Sequence, residues 1–169
     1  MSKRALKKYL TDLKKEEIEE QLLDLYQRFP VVKEYYDFVF NPKEGKLIQD
    51  AKIKISNEYF PIRRKRPRAR RSIAQKYIKH FIKLGVDCYL VADIMLYNIE
   101  IAQSFSEEKN ITDSFYKSMQ NSFLEAVNYI SINGILNDFK ERIVKVYNNV
   151  EKQNWSNKEA FSRILDIVS

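Results

Sequence analysis

The strongest chemical signal in the sequence is a run of positively charged side chains near its middle. Seven of the nine residues from Arg63 to Arg71 are Lys or Arg, six of them Arg, and none is acidic. This excess equals the whole net charge of +7, because the remaining Lys and Arg balance the 23 Asp and Glu. Arg presents a planar fork of donors that can bind phosphate in a bidentate manner. The run therefore predicts a surface that binds a phosphate-rich anion.

A helix is expected to begin near Pro67 and to continue this charge. At about 100° per residue, Arg68 and three later lysines fall within one third of its circumference, opposite the apolar face. The loop and this stripe would form a cationic surface roughly 20 Å long at 1.5 Å per residue. Our hypothesis is that this surface binds the backbone of RNA or DNA without base specificity. The candidate anion-binding residues are Arg63, Arg64, Lys65, Arg66, Arg68, Arg71, Lys76, Lys79 and Lys83.

The position of the charge at a helix start supports the same hypothesis. The first turn of a helix carries partial positive charge and is stabilised by carboxylates, yet here it receives Arg68, Arg70 and Arg71. Such a local conflict often marks a functional site. An anion from outside would reverse the penalty, because the free N–H groups and the Arg side chains would then both contact it.

Two alternatives remain open for this run. It could meet an acidic protein partner, or it could be neutralised inside the protein. Asp93, Tyr97, Glu100 and Ser104 form a polar stripe on an otherwise apolar helix, and such a stripe usually pairs internally. Arg70 lies on the apolar side of its own helix. We therefore predict structural ion pairing that involves Arg70, Asp93 and Glu100.

Evidence for an enzyme is weak. The sequence has one His, His80, which cannot form a His-based metal cluster. Cys88 follows a helix start but has no identifiable base, and three scattered glycines form no phosphate-binding loop. Asp93 and Glu100 share a helix face and could hold Mg²⁺, but no third ligand is placed by any pattern. We predict no catalytic residues, no metal site and no cofactor.

The periodicity of apolar residues predicts an all-α fold. About eight helices joined by short loops are expected to form a single domain over residues 1–169, with no sheet and with a basic loop at 61–71 between two helical halves. The segment after Pro30, VVKEYYDFVF, reads as either a short helix or an extended piece. The segment CYLVADIMLYNIEIAQSF is the most apolar, with Asp87 as its cap, and should be the central buried helix.

The remaining composition favours a cytoplasmic protein. A single Cys cannot form an internal disulfide, so nothing ties the chain to an oxidising compartment. The first residues contain no apolar signal core, and no run of about 18 uncharged apolar residues could span a membrane. We expect no membrane partner, and the sequence does not indicate an oligomeric state.

Three segments resemble an uncharacterised family of bacterial proteins, a domain of unknown function. They read FNPKEGKL, ARRSIAQKYIKHFIKLGVD and ADIMLYNIEIAQSF. The similarity is expected to cover at least the first two-thirds of the chain and up to its whole length. The resemblance implies a bacterial, cytoplasmic, stand-alone protein. It carries no known activity and no assigned site residues.

Overall fold

The computed structural model describes residues 2–63, 65–109 and 111–166, and this part of the chain contains nine α-helices and no strand. The all-α prediction is therefore confirmed. The helices run over Lys3–Thr11 (α1), Lys15–Arg28 (α2), Pro30–Phe40 (α3), Glu44–Tyr59 (α4), Arg71–Leu84 (α5), Cys88–Glu107 (α6), Asp113–Ile132 (α7), Leu136–Lys152 (α8) and Lys158–Leu165 (α9). The segment left open between helix and extended chain is α3, where Pro30 takes the first helical position.

The chain forms two compact units, one that ends at Lys43 and one that begins at Glu44. The predicted loop at 61–71 lies inside the second unit, between α4 and α5. It corresponds to residues 60–70 of the structure, because Arg71 is already the first residue of α5. We call residues 60–70 the basic loop.

The first unit contains α1, α2 and α3, and none of these helices has a buried residue. Helices α2 and α3 pack as a hairpin, in which the Tyr26 hydroxyl donates to the Asp37 carboxylate at 2.7 Å. Of the eighteen large hydrophobic side chains that are exposed among the described residues, twelve lie in this unit. Its helices therefore have no apolar core of their own.

The second unit is built around α6, which contacts α4, α5, α7 and α8. The helix begins where the Asp87 carboxylate accepts the N–H groups of Tyr89 and Leu90, and Gly85 just before it adopts a left-handed φ of 78°. The central position predicted for this helix is confirmed by ten buried residues along its length. None of the described helices, α6 included, combines the length and apolar character needed to cross a membrane.

Two helices of this core position the basic loop. Helix α4 buries Ile48, Ala51 and Ile55 and ends at Tyr59, and α5 buries Ala74, Ile78 and other apolar residues. Both helices pack on α6 and on each other. The loop between them therefore begins and ends at helices of this core.

Candidate anion-binding surface

The end of the basic loop is held by Glu58, a residue with only 6% of its surface exposed. The Glu58 carbonyl oxygen accepts two hydrogen bonds, from the N–H of Arg68 and the N–H of Ala69, both at 2.9 Å. Ala69 adopts a φ of 46°, a left-handed conformation that is costly for a residue with a Cβ. The surrounding hydrogen bonds maintain this strained turn, which sets the direction in which α5 begins.

Arg70 pairs with the same residue. Its Nε lies 2.8 Å from Glu58 Oε2 and its Nη2 lies 3.1 Å from Oε1, so the contact is bidentate. The hydrogen bond that Arg70 donates to Glu58 raises the pKa of Arg70 above its ordinary value. From the sequence we predicted that Arg70 pairs with the acidic stripe of α6, whereas the structure pairs it with Glu58 of α4. The nearer carboxylate was missed because Glu58 occupies the buried face of α4, where sequence patterns predict apolar residues.

Arg71 is also engaged inside the unit, although we expected it on the anion-binding surface. Its Nε donates to Ser122 Oγ at 2.7 Å, and its Nη2 lies 2.7 Å from Glu125 Oε1. Gln75 donates to the other oxygen of Glu125 at 2.8 Å. Helix α7 thus supplies the carboxylate that compensates a cation at the start of α5, so this part of the helix-dipole conflict is resolved within the protein.

The acidic stripe has its own partners. Arg142 of α8 forms a bidentate contact with Glu100, at 2.6 and 2.8 Å, and its Nη1 lies 2.7 Å from Asp93 Oδ1. Lys52 of α4 lies 2.6 Å from Asp93 Oδ2 and 5.1 Å from the ring centroid of Tyr97. The described partners of Asp93 and Glu100 are therefore Arg142 and Lys52, and Arg70 is not among them. Arg142 and Lys52 lie more than forty residues from them, and no local pattern joins such distant positions.

These contacts shift two pKa values. Burial alone would raise the pKa of Asp93, but hydrogen bonds from Lys52 and Arg142 outweigh it and hold the pKa below its ordinary value. Burial would lower the pKa of Arg142, but hydrogen bonds to Glu100 and Asp93 raise it instead. Both shifts favour the charged forms of Asp93 and Arg142, which indicates a structural ion network that ties α6 to α4 and α8.

Four cations of the basic loop remain available to a ligand. They are Arg63, Lys65, Arg66 and Arg68. Each is exposed, and none forms an ion pair with a carboxylate of the described residues. The same holds for the three lysines predicted on the outer face of α5: Lys76, Lys79 and Lys83. Arg64, the remaining candidate, lies outside the described residues. The surface that can meet an anion is thus the basic loop up to Arg68 together with the α5 lysines.

A groove of about 650 Å³ lies between the end of α4, the basic loop and α5. Arg63, Lys76 and Lys54 line it, together with the ring of Tyr77 and the side chain of Ile62, which is 88% exposed. Its one carboxylate, that of Glu58, is already paired with Arg70. Sequence reasoning missed Lys54, because only the fold brings α4 beside the basic loop.

Arg68 borders a second groove, of about 570 Å³, on the other side of the loop end. Pro67 and Ala69 line it from the loop, and hydroxyl groups of Thr112, Ser114 and Ser118 line it from α7 and the turn before it. This groove has no acidic residue among its lining side chains. Three of the available cations, Arg63, Lys76 and Arg68, therefore line open grooves, neither of which presents an unpaired carboxylate.

No group of three or more His, Cys, Asp or Glu side chains in the described ranges is arranged to hold a metal ion. Cys88 is a free, half-buried thiol at the first position of α6. The described part of the chain therefore presents exposed cations beside open grooves and no metal-binding cluster of this kind.

The comparisons with known proteins identify the family of the chain but no activity, ligand or partner. Searches of curated proteins and of solved structures found no match to this chain. One family model matches residues 1–169, which is the full length of the sequence. The chain therefore belongs to DUF6155, a family of unknown function.

Proposed function

We propose that the chain binds the phosphodiester backbone of RNA or DNA through the basic loop and the outer face of α5, without reading base sequence. One observation carries this proposal. Four neighbouring cations of the basic loop, Arg63, Lys65, Arg66 and Arg68, stay exposed without a described carboxylate partner, while the next two, Arg70 and Arg71, are compensated.

Arg70 and Arg71 differ in role from the four exposed cations before them, because Arg70 and Arg71 stabilise the fold whereas the other four face solvent and could bind a ligand. Arg70 and Arg71 each meet a carboxylate at 2.7 or 2.8 Å, so the fold requires them and supplies their counter-charges. The preceding cations have no such role in packing. Their mutual repulsion is unfavourable in the free protein, and a polyanion that displaces its own counterions on binding would relieve it.

The grooves beside the loop suit a flexible backbone. Lys54 and Lys76 can contact phosphates from the two walls of the larger groove, and Tyr77 and Ile62 offer apolar surface to a sugar or base. No described element presents the long polar recognition helix that reads base edges in a major groove, and α6, which follows the short turn after α5, is largely buried. Binding is accordingly expected to depend on charge more than on sequence.

The experiment is a titration of fluorescent single- and double-stranded RNA and DNA at several salt concentrations. The variant replaces Arg63, Lys65, Arg66 and Arg68 with Gln. We expect steep salt dependence for the wild type, and a loss of about three units of log–log slope in the variant, at roughly 0.7 to 0.9 units for each phosphate contact. A wild type that binds none of the four nucleic acids at low salt refutes the proposal.

An acidic protein partner would also show salt dependence, so a competition arm is needed. Polyglutamate carries charge at a similar density but has no phosphates for bidentate contacts with Arg. We expect it to displace nucleic acid only at a large excess of charge. If polyglutamate competes equally well per charge, the surface recognises acidic protein and not nucleic acid.

A further inference from the structure

The larger groove beside the basic loop combines cations with apolar side chains. Its apolar members come from two elements, Pro61 and Ile62 of the loop and Ile73 and Tyr77 of α5. Ile62 is 88% exposed, so the loop presents this side chain to solvent beside Arg63. A surface that meets only phosphates gains nothing from such groups, because apolar area stabilises a complex only when the ligand removes it from water. The groove therefore suits a ligand that carries both negative charge and an apolar or aromatic face.

Tyr77 brings an aromatic ring to this groove, and the core holds that ring in place. The neighbouring positions Ala74, Ile78 and Phe81 are buried, whereas Tyr77 is only half-buried and lies at the edge of the apolar face of α5. Its ring centroid lies 6.1 Å from that of Phe81, one turn further along the helix, with the two ring planes at 40°. The Tyr77 ring thus packs on a buried ring and presents its remaining surface at the groove. This support reduces the freedom that the side chain loses when a ligand stacks on it.

Cations flank this ring on both walls of the groove. Lys76 precedes Tyr77 on α5, Lys54 lies on α4, and Arg63 lies on the loop. All three are exposed, and none forms an ion pair with a carboxylate in the part of the chain that the structure describes. Proteins that bind single strands without base preference combine a positively charged groove for the backbone with an aromatic ring for a base. The lining of this groove matches that combination.

The form of nucleic acid follows from what the ring can reach. In a duplex the bases stack on one another and the phosphates lie outside, so a duplex can contact the cations but leaves the face of Tyr77 unused. An unpaired nucleotide can turn its base onto the ring while its phosphates contact Lys54 or Lys76. We propose that this groove binds unpaired nucleotides, with one base stacked on Tyr77. The proposal rests on the nucleic-acid binding proposed above, and it adds the strand form that the groove accepts.

Three ligands of equal length separate base stacking from backbone contact. They are a single-stranded DNA, the same sugar–phosphate strand without its bases, and the corresponding duplex. The intact strand and the base-free strand carry the same number of phosphates, so charge alone predicts equal affinity for the two. We expect the wild type to bind the intact strand at least about fivefold more tightly than the base-free strand, which is the lower end of the effect of one stacked base.

Tyr77→Leu tests whether that base stacks on this ring. The substitution should weaken binding of the intact single strand about five- to hundredfold. It should leave the salt slope and the affinities for the base-free strand and the duplex unchanged, because no cation is removed. Tyr77→Phe keeps the ring and should bind like the wild type. Tyr147→Leu is the matched control, since Tyr147 is a half-buried tyrosine of α8 that lines neither groove. Circular dichroism and urea unfolding check that each variant is folded.

The possible results distinguish a failure of this proposal from a failure of the proposed function. A wild type that binds the base-free strand as tightly as the intact strand, with steep salt dependence for both, overturns base stacking and leaves backbone binding standing. A folded Tyr77→Leu variant that keeps wild-type affinity for the intact strand does the same. A wild type that binds none of the three ligands at low salt refutes the proposed function itself, and this proposal with it.

Discussion

Arg142 offers the clearest test of how the second unit is held together. Its guanidinium makes three contacts of 2.6 to 2.8 Å with the carboxylates of Glu100 and Asp93. Replacing it by Met keeps much of the side-chain volume but leaves Glu100 without its described partner and Asp93 with Lys52 alone. The two carboxylates then repel each other on one face of α6.

The size of the effect follows from the burial of the cluster. Removing one partner of a fully buried ion pair costs about 3 to 5 kcal/mol. The side chains of Arg142, Asp93 and Glu100 are 28%, 27% and 33% exposed, so water screens part of the loss. We expect Arg142→Met to lower the free energy of unfolding by about 2 to 3 kcal/mol, below the fully buried range.

Urea unfolding near neutral pH, followed by the fluorescence of Trp155, measures this loss in the second unit, to which Trp155 belongs. Trp155 is the single Trp of the chain and is 2% exposed. The control is Lys140→Met, an exposed cation on the same helix without a described ion pair. Adding Glu100→Gln to Arg142→Met should recover part of the loss, because Glu100 is the carboxylate that Arg142→Met leaves without its described partner. The reasoning fails if Arg142→Met costs no more than the control, about 0.5 kcal/mol or less for a surface change.

Three further predictions follow from the same contacts. Asp93→Asn should destabilise the protein most near neutral pH and progressively less in acid. The folded-state pKa of Asp93 lies below the ordinary carboxyl value, so its contribution to stability is complete above that value and falls away as pH drops through the folded-state pKa. Urea unfolding at about pH 7 and about pH 3 checks this, and an equal loss at both contradicts it. Arg71→Met should lower the free energy of unfolding by about 1 to 3 kcal/mol, since it leaves the buried Ser122 hydroxyl without its donor. The salt slope of nucleic-acid binding should not change, and a slope lower by about one unit would place Arg71 on the ligand surface. Gly85→Ala should destabilise the protein by about 1 kcal/mol because φ is 78° there. Gly45→Ala, within α4, should be neutral or stabilising. Thermal melts compare the two variants, and equal effects would show that φ is not the cause.

The fold class could be predicted from the sequence because it depends on local patterns. Apolar spacing and Gly85 at a helix end act within a few residues, and the structure follows them. The segment after Pro30, which the sequence left open, is a helix that begins at Pro30. The division into two units could not be predicted. It depends on which helices share a core, and the apolar spacing of α2 resembles that of a helix that is buried.

The candidate surface could be predicted in position but not in composition. The sequence identifies the cationic run, yet it does not show that Arg70 and Arg71 turn toward Glu58 and Glu125, while Arg63, Lys65, Arg66 and Arg68 have no described carboxylate partner. That outcome depends on carboxylates of α4 and α7, which lie 12 and 54 residues away. Long-range pairing of this kind leaves no local periodicity in a single sequence.

The most direct test of the account compares two variants of equal charge. One replaces the four free cations of the basic loop with Gln. The other replaces four exposed lysines elsewhere in the same unit: Lys117, Lys140, Lys145 and Lys152.

Each variant lowers the net charge by four, and each is titrated with the same single-stranded RNA and DNA at fixed ionic strength. The account predicts that the loop variant loses nearly all affinity and that the control loses little, because contacts with phosphate and not total charge determine binding. Equal losses in the two variants would contradict it, since binding would then reflect net charge and not a site at the basic loop.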